Sequence, residues 1–246
     1  MIVLNNVSAS YLDGNTKKKV IENLDLVIKE KCNVSIMGSS GCGKTTLLKV
    51  IAGLKKIEEG SISYRGKKYN TPIPEISLLF QNYGLLDWKT AEENILLPIY
   101  LRRIQKDSEK FSQLVKDLGL EKCLHKYPSQ LSGGEKQRVA IGRALMTECK
   151  FLLLDEAFSS LDFVTKERIQ NHLKKVFMKR GVTIILVTHS IEEALFWGDK
   201  IIIFESSTSK TPHILGNYKE SCDKEDWKKK EKILKRIKRI QNEEIK

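Results

Sequence analysis

No stretch of this 246-residue chain is long and apolar enough to cross a membrane as a helix. The longest mostly apolar run, residues 95–101, already contains Pro98, whereas a span needs about 20 apolar residues. The opening Met-Ile-Val-Leu-Asn-Asn carries no basic segment ahead of an apolar one. No secretory leader is therefore expected, and the chain is expected to stay in the cytoplasm. Cysteine is sparse: Cys32, Cys42, Cys123, Cys149 and Cys222 are scattered with no Cys-x-x-Cys pair. An odd number without ligand spacing argues against a disulfide framework and against a zinc or iron–sulfur site, and for reduced thiols. No internal repeat or low-complexity segment stands out.

Acidic residues are also short, which leaves a formal net charge of +12. Nucleic acid, an anionic membrane surface and a lysine-rich solvated surface are the readings this charge allows. Residues 223–246 hold ten Lys/Arg against six Asp/Glu. The remaining excess is spread along the chain, which favours solvated lysines, and no nucleic-acid partner is expected. The length suits one large α/β domain or a domain with a small inserted lobe.

Strand signals fall at residues 2–8 and 21–29, with a polar turn between them from Asp13 to Lys19. Residues 33–37 form a short apolar strand running into a glycine loop, and 45–51 continue as a helix. A hairpin is expected around Arg65-Gly66, and a short strand over 76–80. Residues 90–130 change character and predict helices over 90–101, 108–118 and 121–125. Apolar runs at 151–154, 183–187 and 200–204 then alternate with helical segments at 165–178 and 191–196. That alternation implies an α/β fold with a mostly parallel sheet.

Three segments carry chemistry. Gly38-Ser39-Ser40-Gly41-Cys42-Gly43-Lys44-Thr45 matches the phosphate-loop pattern between a strand and a helix. Its glycines let backbone N–H groups curl around phosphates. Lys44 offers a charge to the β- and γ-phosphates, and Thr45 a hydroxyl to Mg²⁺. Thr46 is expected to reach the α-phosphate. Residues 151–156 form an apolar strand ending in Asp155 and Glu156, a metal ligand and a general base. Residues 131–145 read Leu-Ser-Gly-Gly-Glu-Lys-Gln-Arg-Val-Ala-Ile-Gly-Arg-Ala-Leu. Ser132-Gly133-Gly134 opening a helix offers free N–H groups to an anion.

Together these segments resemble the ATP-binding cassette (ABC) ATPase family, and the likeness runs from Tyr11 to about Phe204. It implies a P-loop NTPase core with a mostly parallel sheet, an N-terminal antiparallel β subdomain and an inserted α-helical lobe at about 90–135. ATP and Mg²⁺ are the implied cofactors, with Mg²⁺ held by Thr45, Gln81 and Asp155. Glu156 is then the base that polarises the attacking water, and His189 contacts the γ-phosphate and orients Glu156. Each has a plainer reading, a structural carboxylate or a structural histidine. Tyr11 stacks on adenine in this likeness, or packs on its own hairpin. The segment from Ser159 to Asp162 resembles the loop that crosses to a second subunit. Ser132 and Gly134 then contact the γ-phosphate of ATP held by that subunit, in a two-fold head-to-tail dimer.

Residues 81–90 and 192–200 narrow the likeness to ATPase subunits of nitrate, sulfonate and taurine importers, a group that includes thiamine-pyrimidine importers. Asp87 stands where that group has Pro, and Ala157 where the family has Pro. The implied partners are transmembrane permease subunits, a solute-binding protein and a second ABC ATPase subunit, at the cytoplasmic face of the membrane. Leu85, Leu86 and Trp88 form a docking edge for a membrane subunit, or core of the helical lobe. A soluble ABC-type assembly ATPase is the alternative function. The domain expected is 1–222, followed by a basic amphipathic helix over 223–246. That helix packs on its own domain, contacts a dimer partner or lies on anionic lipid.

Overall fold

Alternating apolar residues at the start of the chain build a long hairpin, β1 (Ile2–Asp13) and β2 (Thr16–Ile28). Next come β3 (Val34–Gly38), α1 (Lys44–Ile51), β4 (Glu59–Tyr64), β5 (Lys67–Lys68) and β6 (Ile76–Leu79). Helices α2 (Ala91–Arg102), α3 (Ser108–Leu118) and α4 (Gly133–Leu145) precede β7 (Phe151–Asp155). The chain continues through α5 (Phe163–Arg180), β8 (Thr183–Val187), α6 (Ile191–Trp197), β9 (Lys200–Phe204) and β10 (His213–Leu215). This computed structural model describes residues 1–13, 16–159, 163–204 and 213–215. The tail over 223–246 and Asp162 lie outside the described residues. Two compact units divide the chain: Met1–Ile73 with Ile184–Lys246, and Pro74–Thr183.

In the first unit, an antiparallel sheet has the order β2-β1-β4-β5. The hairpin is longer than the sequence predicts. Asp13 pairs with Thr16, so residues 16–19, expected in the turn, belong to β2. Pairing consumes backbone donors and acceptors whatever the side chains. Gly60 is required where β4 passes the irregular part of β1: a Cβ there would sit 2.2 Å from the Asn6 carbonyl oxygen. A second group of strands runs β10-β9-β3-β8. β3 is parallel to β8 and β9, and β10, for which the sequence carries no expectation, pairs antiparallel to β9. Met37, Ala194, Ile201 and Ile203 form a buried cluster where α6 covers these strands. Ser35, also buried, donates its hydroxyl to the Ala194 carbonyl at 3.0 Å.

In the second unit, β6 and β7 are parallel, with Ile76 opposite Phe151 and Leu79 opposite Leu154. Thr90 caps α2 through a reciprocal box with Glu93. Residues 121–125, expected as a short helix, are turns. The Leu124 carbonyl is committed elsewhere, accepting the Glu92 N–H at 3.0 Å, and just beyond the segment the Lys126 carbonyl accepts the Ala91 N–H at 2.9 Å. Those two carbonyls give acceptors to N–H donors that a helix start leaves unpaired. Asp107 caps α3, and Gly119 ends it in the left-handed conformation. Asp117 on α3 holds Lys179 and Arg180 of α5 at 2.9 and 2.8 Å. Burial alone raises its pKa, but hydrogen bonds from Lys179, Gln113 and Arg180 outweigh that and hold the carboxyl at about 2. The fold is α/β with parallel strands and an antiparallel sheet, as the sequence predicts.

Candidate nucleotide site

The glycine loop follows β3 directly and is pinned from two sides. A Cβ on Gly38 would lie 2.4 Å from the Phe204 carbonyl oxygen, and one on Gly43 would lie 2.9 Å from Val20 of β2. Gly41 and Gly43 have φ of 78° and 107°, a backbone that other residues adopt only under strain. Ser40, Gly41 and Thr45 are exposed, while Cys42 and Thr46 are buried. Lys44 is 6% exposed, and its Nζ donates to the carbonyls of Gly38 at 2.9 Å and Ser39 at 2.6 Å. The ammonium thus ties the loop across its own opening. Successive N–H groups in such a curled loop form a concavity suited to an anion.

The parallel register of β3 and β8, Ile36 beside Val187, brings the end of β8 next to the start of this loop. The Thr188 N–H then donates to the Ile36 carbonyl at 3.1 Å. His189 follows and is exposed. Its neighbours are fixed: Thr188 hydroxyl donates to the Glu193 carboxylate, and the Ser190 N–H donates to Thr188 Oγ1 at 3.1 Å. Ser190 also caps α6 by accepting the Glu193 N–H at 3.2 Å. So the phosphate loop and His189 occupy carboxyl ends of adjacent parallel strands, where open α/β sheets bind ligands. Tyr11 is 37% exposed, and Lys55 Nζ lies 4.1 Å from its ring centroid. The sequence alone does not signal that cation–π pair.

In the second unit, the register of β6 and β7 does the same for Gln81, Asp155 and Glu156. Leu79 and Leu154 are paired, so Gln81 and the two carboxylates leave the same end of adjacent strands. Asp155 is 9% exposed, Glu156 half-buried and Gln81 exposed. Glu156 has φ 49°, left-handed and uncommon for a residue with a side chain. Its carbonyl accepts the Ser159 N–H at 3.1 Å and the Ser159 hydroxyl at 2.8 Å.

Helix α4 starts as the Ser-Gly-Gly sequence predicts. Ser132 is the exposed N-cap: its Oγ accepts the Glu135 N–H at 3.3 Å, and Glu135 accepts the Ser132 N–H at 2.8 Å. Gly133 is exposed and Gly134 buried. The Cys123 thiol, 2.9 Å from Glu135, and then the Ser132 N–H hold the Glu135 carboxyl down to about 2. Burial, with that carboxylate second, pushes the Cys123 thiol up. Two α4 residues that the sequence reading passes over also reach neighbouring segments. Gln137 Nε2 donates to the Ala157 carbonyl at 3.0 Å, and Arg143 donates to the carbonyls of Tyr83 at 2.8 Å and Gly84 at 2.7 Å. Their one local signal is a polar residue at an apolar helix position.

The residues assigned to Mg²⁺ are hard oxygen donors: a hydroxyl on Thr45, an amide on Gln81 and a carboxylate on Asp155. Such a set, with one carboxylate, fits an ion that keeps water and phosphate oxygens around it.

The ABC transporter family pattern matches residues 21–159. The nitrate import ATP-binding protein NrtC of Synechocystis is 42% identical over 200 residues, which cover 79% of this chain and 29% of that protein. This chain therefore spans under a third of that relative's length. The taurine import ATP-binding protein TauB of Shigella sonnei is 38% identical, over 83% of this chain and 80% of that protein. Among solved structures, the ATP-binding cassette MJ0796, dimeric in a post-hydrolysis state with ADP and Pi, aligns with a TM-score of 0.76 and 34% identity. The alignment covers 88% of this chain and 98% of that one. A family match over more than half its residues makes this chain a member of the ABC transporter family.

Proposed function

We propose that this chain is the ATP-binding and ATP-hydrolysing subunit of an importer for a small solute, working on separate membrane subunits. The preformed phosphate loop, crossed by Lys44, carries the nucleotide part of this reading. The identities of 42% and 38% to nitrate and taurine import proteins support import.

Lys44 serves the β- and γ-phosphates, and Thr46 the α-phosphate, with Ser39, Ser40 and Cys42 lending backbone N–H groups. Tyr11 offers its exposed ring to adenine. Thr45, Gln81 and Asp155 would hold Mg²⁺, which when bound neutralises charge on the β- and γ-phosphate oxygens. Glu156 takes the proton of the attacking water, and His189 orients the reacting groups from the γ-phosphate side. Ser132, Gly133 and Gly134 meet the γ-phosphate of ATP on a second cassette, with Asp162 on the loop between the two. ATP then favours a closed dimer by its differential affinity for that state, and hydrolysis releases it. The dimeric ADP–Pi relative supports this part.

Trp88, 72% exposed, with Leu85 and Leu86, forms the edge offered to a membrane subunit. That partner would place the chain at the cytoplasmic face, alongside a solute-binding protein. Residues 1–222 make up the cassette, with its helical lobe at about 90–135 and the basic segment 223–246 appended. Affinity purification of the tagged chain from detergent-solubilised native membranes tests the assignment. Co-purification of a multi-span permease is expected. Recovery of soluble partners alone, from membranes that yield other transporters intact, would replace it with a soluble assembly ATPase.

A further inference from the structure

Ala157, the residue after Glu156, offers its carbonyl to two donors from separate parts of the second unit. Gln137 Nε2 of α4 lies at 3.0 Å, and the hydroxyl of Tyr83, two residues after Gln81, at 3.4 Å. Arg143 of the same helix holds the carbonyls of Tyr83 and Gly84. Both residues have left-handed backbones, φ 60° and 55°. Helix α4 therefore grips the segment after Gln81 and the segment after Glu156. The second grip acts where the chain leaves the left-handed Glu156, a conformation that persists only when its surroundings over-determine it.

Gln137 is 0% exposed, and its Oε1 has no hydrogen-bond partner among the described residues. Its amide is thus only half satisfied. An apolar side chain of similar shape would remove that unmet acceptor, and the Ala157 carbonyl would keep the Tyr83 hydroxyl. Stability alone gives little reason for glutamine at this position.

We propose that Gln137 is a positioning residue for Glu156. By fixing the Ala157 carbonyl it holds the Ala157–Phe158 peptide, one residue beyond Glu156, and through it the direction of the carboxylate toward the attacking water. The inference rests on the reading of Glu156 as the general base. A misplacement of about 1 Å at a reacting group costs up to roughly 100-fold in rate.

The test compares Gln137→Met, Tyr83→Phe, Glu156→Gln and the Gln137→Met/Glu156→Gln double variant of the full chain. It measures steady-state and single-turnover hydrolysis of Mg-ATP, the ATP dissociation constant and the urea midpoint. Gln137→Met is expected to lower kcat roughly 10- to 100-fold, with KM, ATP affinity and the urea midpoint near wild type. In the Glu156→Gln background the same change is expected to cost under about twofold, because the two residues act as a unit. A wild-type kcat for Gln137→Met beside an impaired Glu156→Gln overturns the positioning role alone. So does an undiminished loss in the Glu156→Gln background. Wild-type turnover by Glu156→Gln overturns the general-base reading and this proposal with it. If Gln137→Met does not fold, Tyr83→Phe carries the test: a lower kcat at constant KM is expected, and an unchanged kcat overturns the proposal.

Discussion

Asn94 and Leu86 are bonded to each other twice. Asn94 Oδ1 accepts the Leu86 N–H at 2.9 Å, and Asn94 Nδ2 donates to the Leu86 carbonyl at 3.1 Å. The same nitrogen lies 3.0 Å from the carbonyls of Lys89 and Thr90. One wholly buried amide thus shapes the loop that holds Trp88 out in water. Asn94→Ala removes these bonds and leaves several loop groups to find water. A loss of about 1–3 kcal/mol in stability is expected. Hydrogen–deuterium exchange at residues 86–89 should quicken by roughly 10- to 100-fold if opening is local. Unchanged protection there would mean that Asn94 does not hold the loop.

Gly134 has a packing role as well as its proposed role at phosphate. A Cβ at this position would meet Ile169 Cδ1 at 2.6 Å, within the same unit. The clashing atom is the end of a side chain that can turn, and alanine gains about 1 kcal/mol of helix propensity over glycine. Gly134→Ala should therefore change the urea midpoint little. ATP hydrolysis should nonetheless fall at least about tenfold, because the group approaching the α4 N-terminus meets a methyl. If stability drops by several kcal/mol and the remaining folded protein hydrolyses ATP normally, Gly134 serves packing alone.

The phosphate loop, β7 and its two carboxylates were legible because each is a local pattern with a fixed consequence. Helix α3, expected over 108–118, lies there, and the structure shows Asp107 and Gly119 closing its ends. What escaped depends on partners far along the chain. The turns at 121–125 go with a Leu124 carbonyl committed to Glu92, some thirty residues earlier. Gln137 and Arg143 find their acceptors 20 and about 60 residues away, and no periodicity encodes that. The hairpin extends through residues 16–19 because strand pairing is made by the backbone, whatever the side chains.

Acid should weaken the start of α4 in a defined window. The Glu135 carboxyl is held at about 2, first by the Cys123 thiol and then by the Ser132 N–H. A group whose folded pKa is depressed contributes its stability above the unfolded value, about 4.3, and loses it as pH falls toward the folded value. Its side chain is 21% exposed, so about 1–2 kcal/mol is a realistic contribution after solvent screening. Glu135→Gln keeps the shape of the capping box without the charge. Urea midpoints of wild type and Glu135→Gln should differ at pH 7 and converge between pH 4 and 2. A gap that persists at pH 2 would assign the difference to packing.

Lys44 and Glu156 should fail in opposite ways. The buried Lys44 ammonium already spans the loop through the Gly38 and Ser39 carbonyls. Lys44→Ala therefore removes both the proposed phosphate contact and the bonds that tie the loop. A charge-assisted hydrogen bond contributes about 1.5–3 kcal/mol, so ATP affinity should fall roughly 10- to 100-fold. Glu156→Gln leaves that cradle untouched. Its ATP affinity should hold while turnover falls by about 10²–10⁴, the usual contribution of a general base. With hydrolysis blocked and ATP bound, this variant should also accumulate as a closed dimer on size-exclusion chromatography in Mg-ATP, and remain a monomer in ADP. Equal ATP affinity for Lys44→Ala and wild type would remove the loop from nucleotide binding. A Glu156→Gln variant that binds ATP yet never dimerises would instead break the link between the γ-phosphate and the Ser132 end of a second copy.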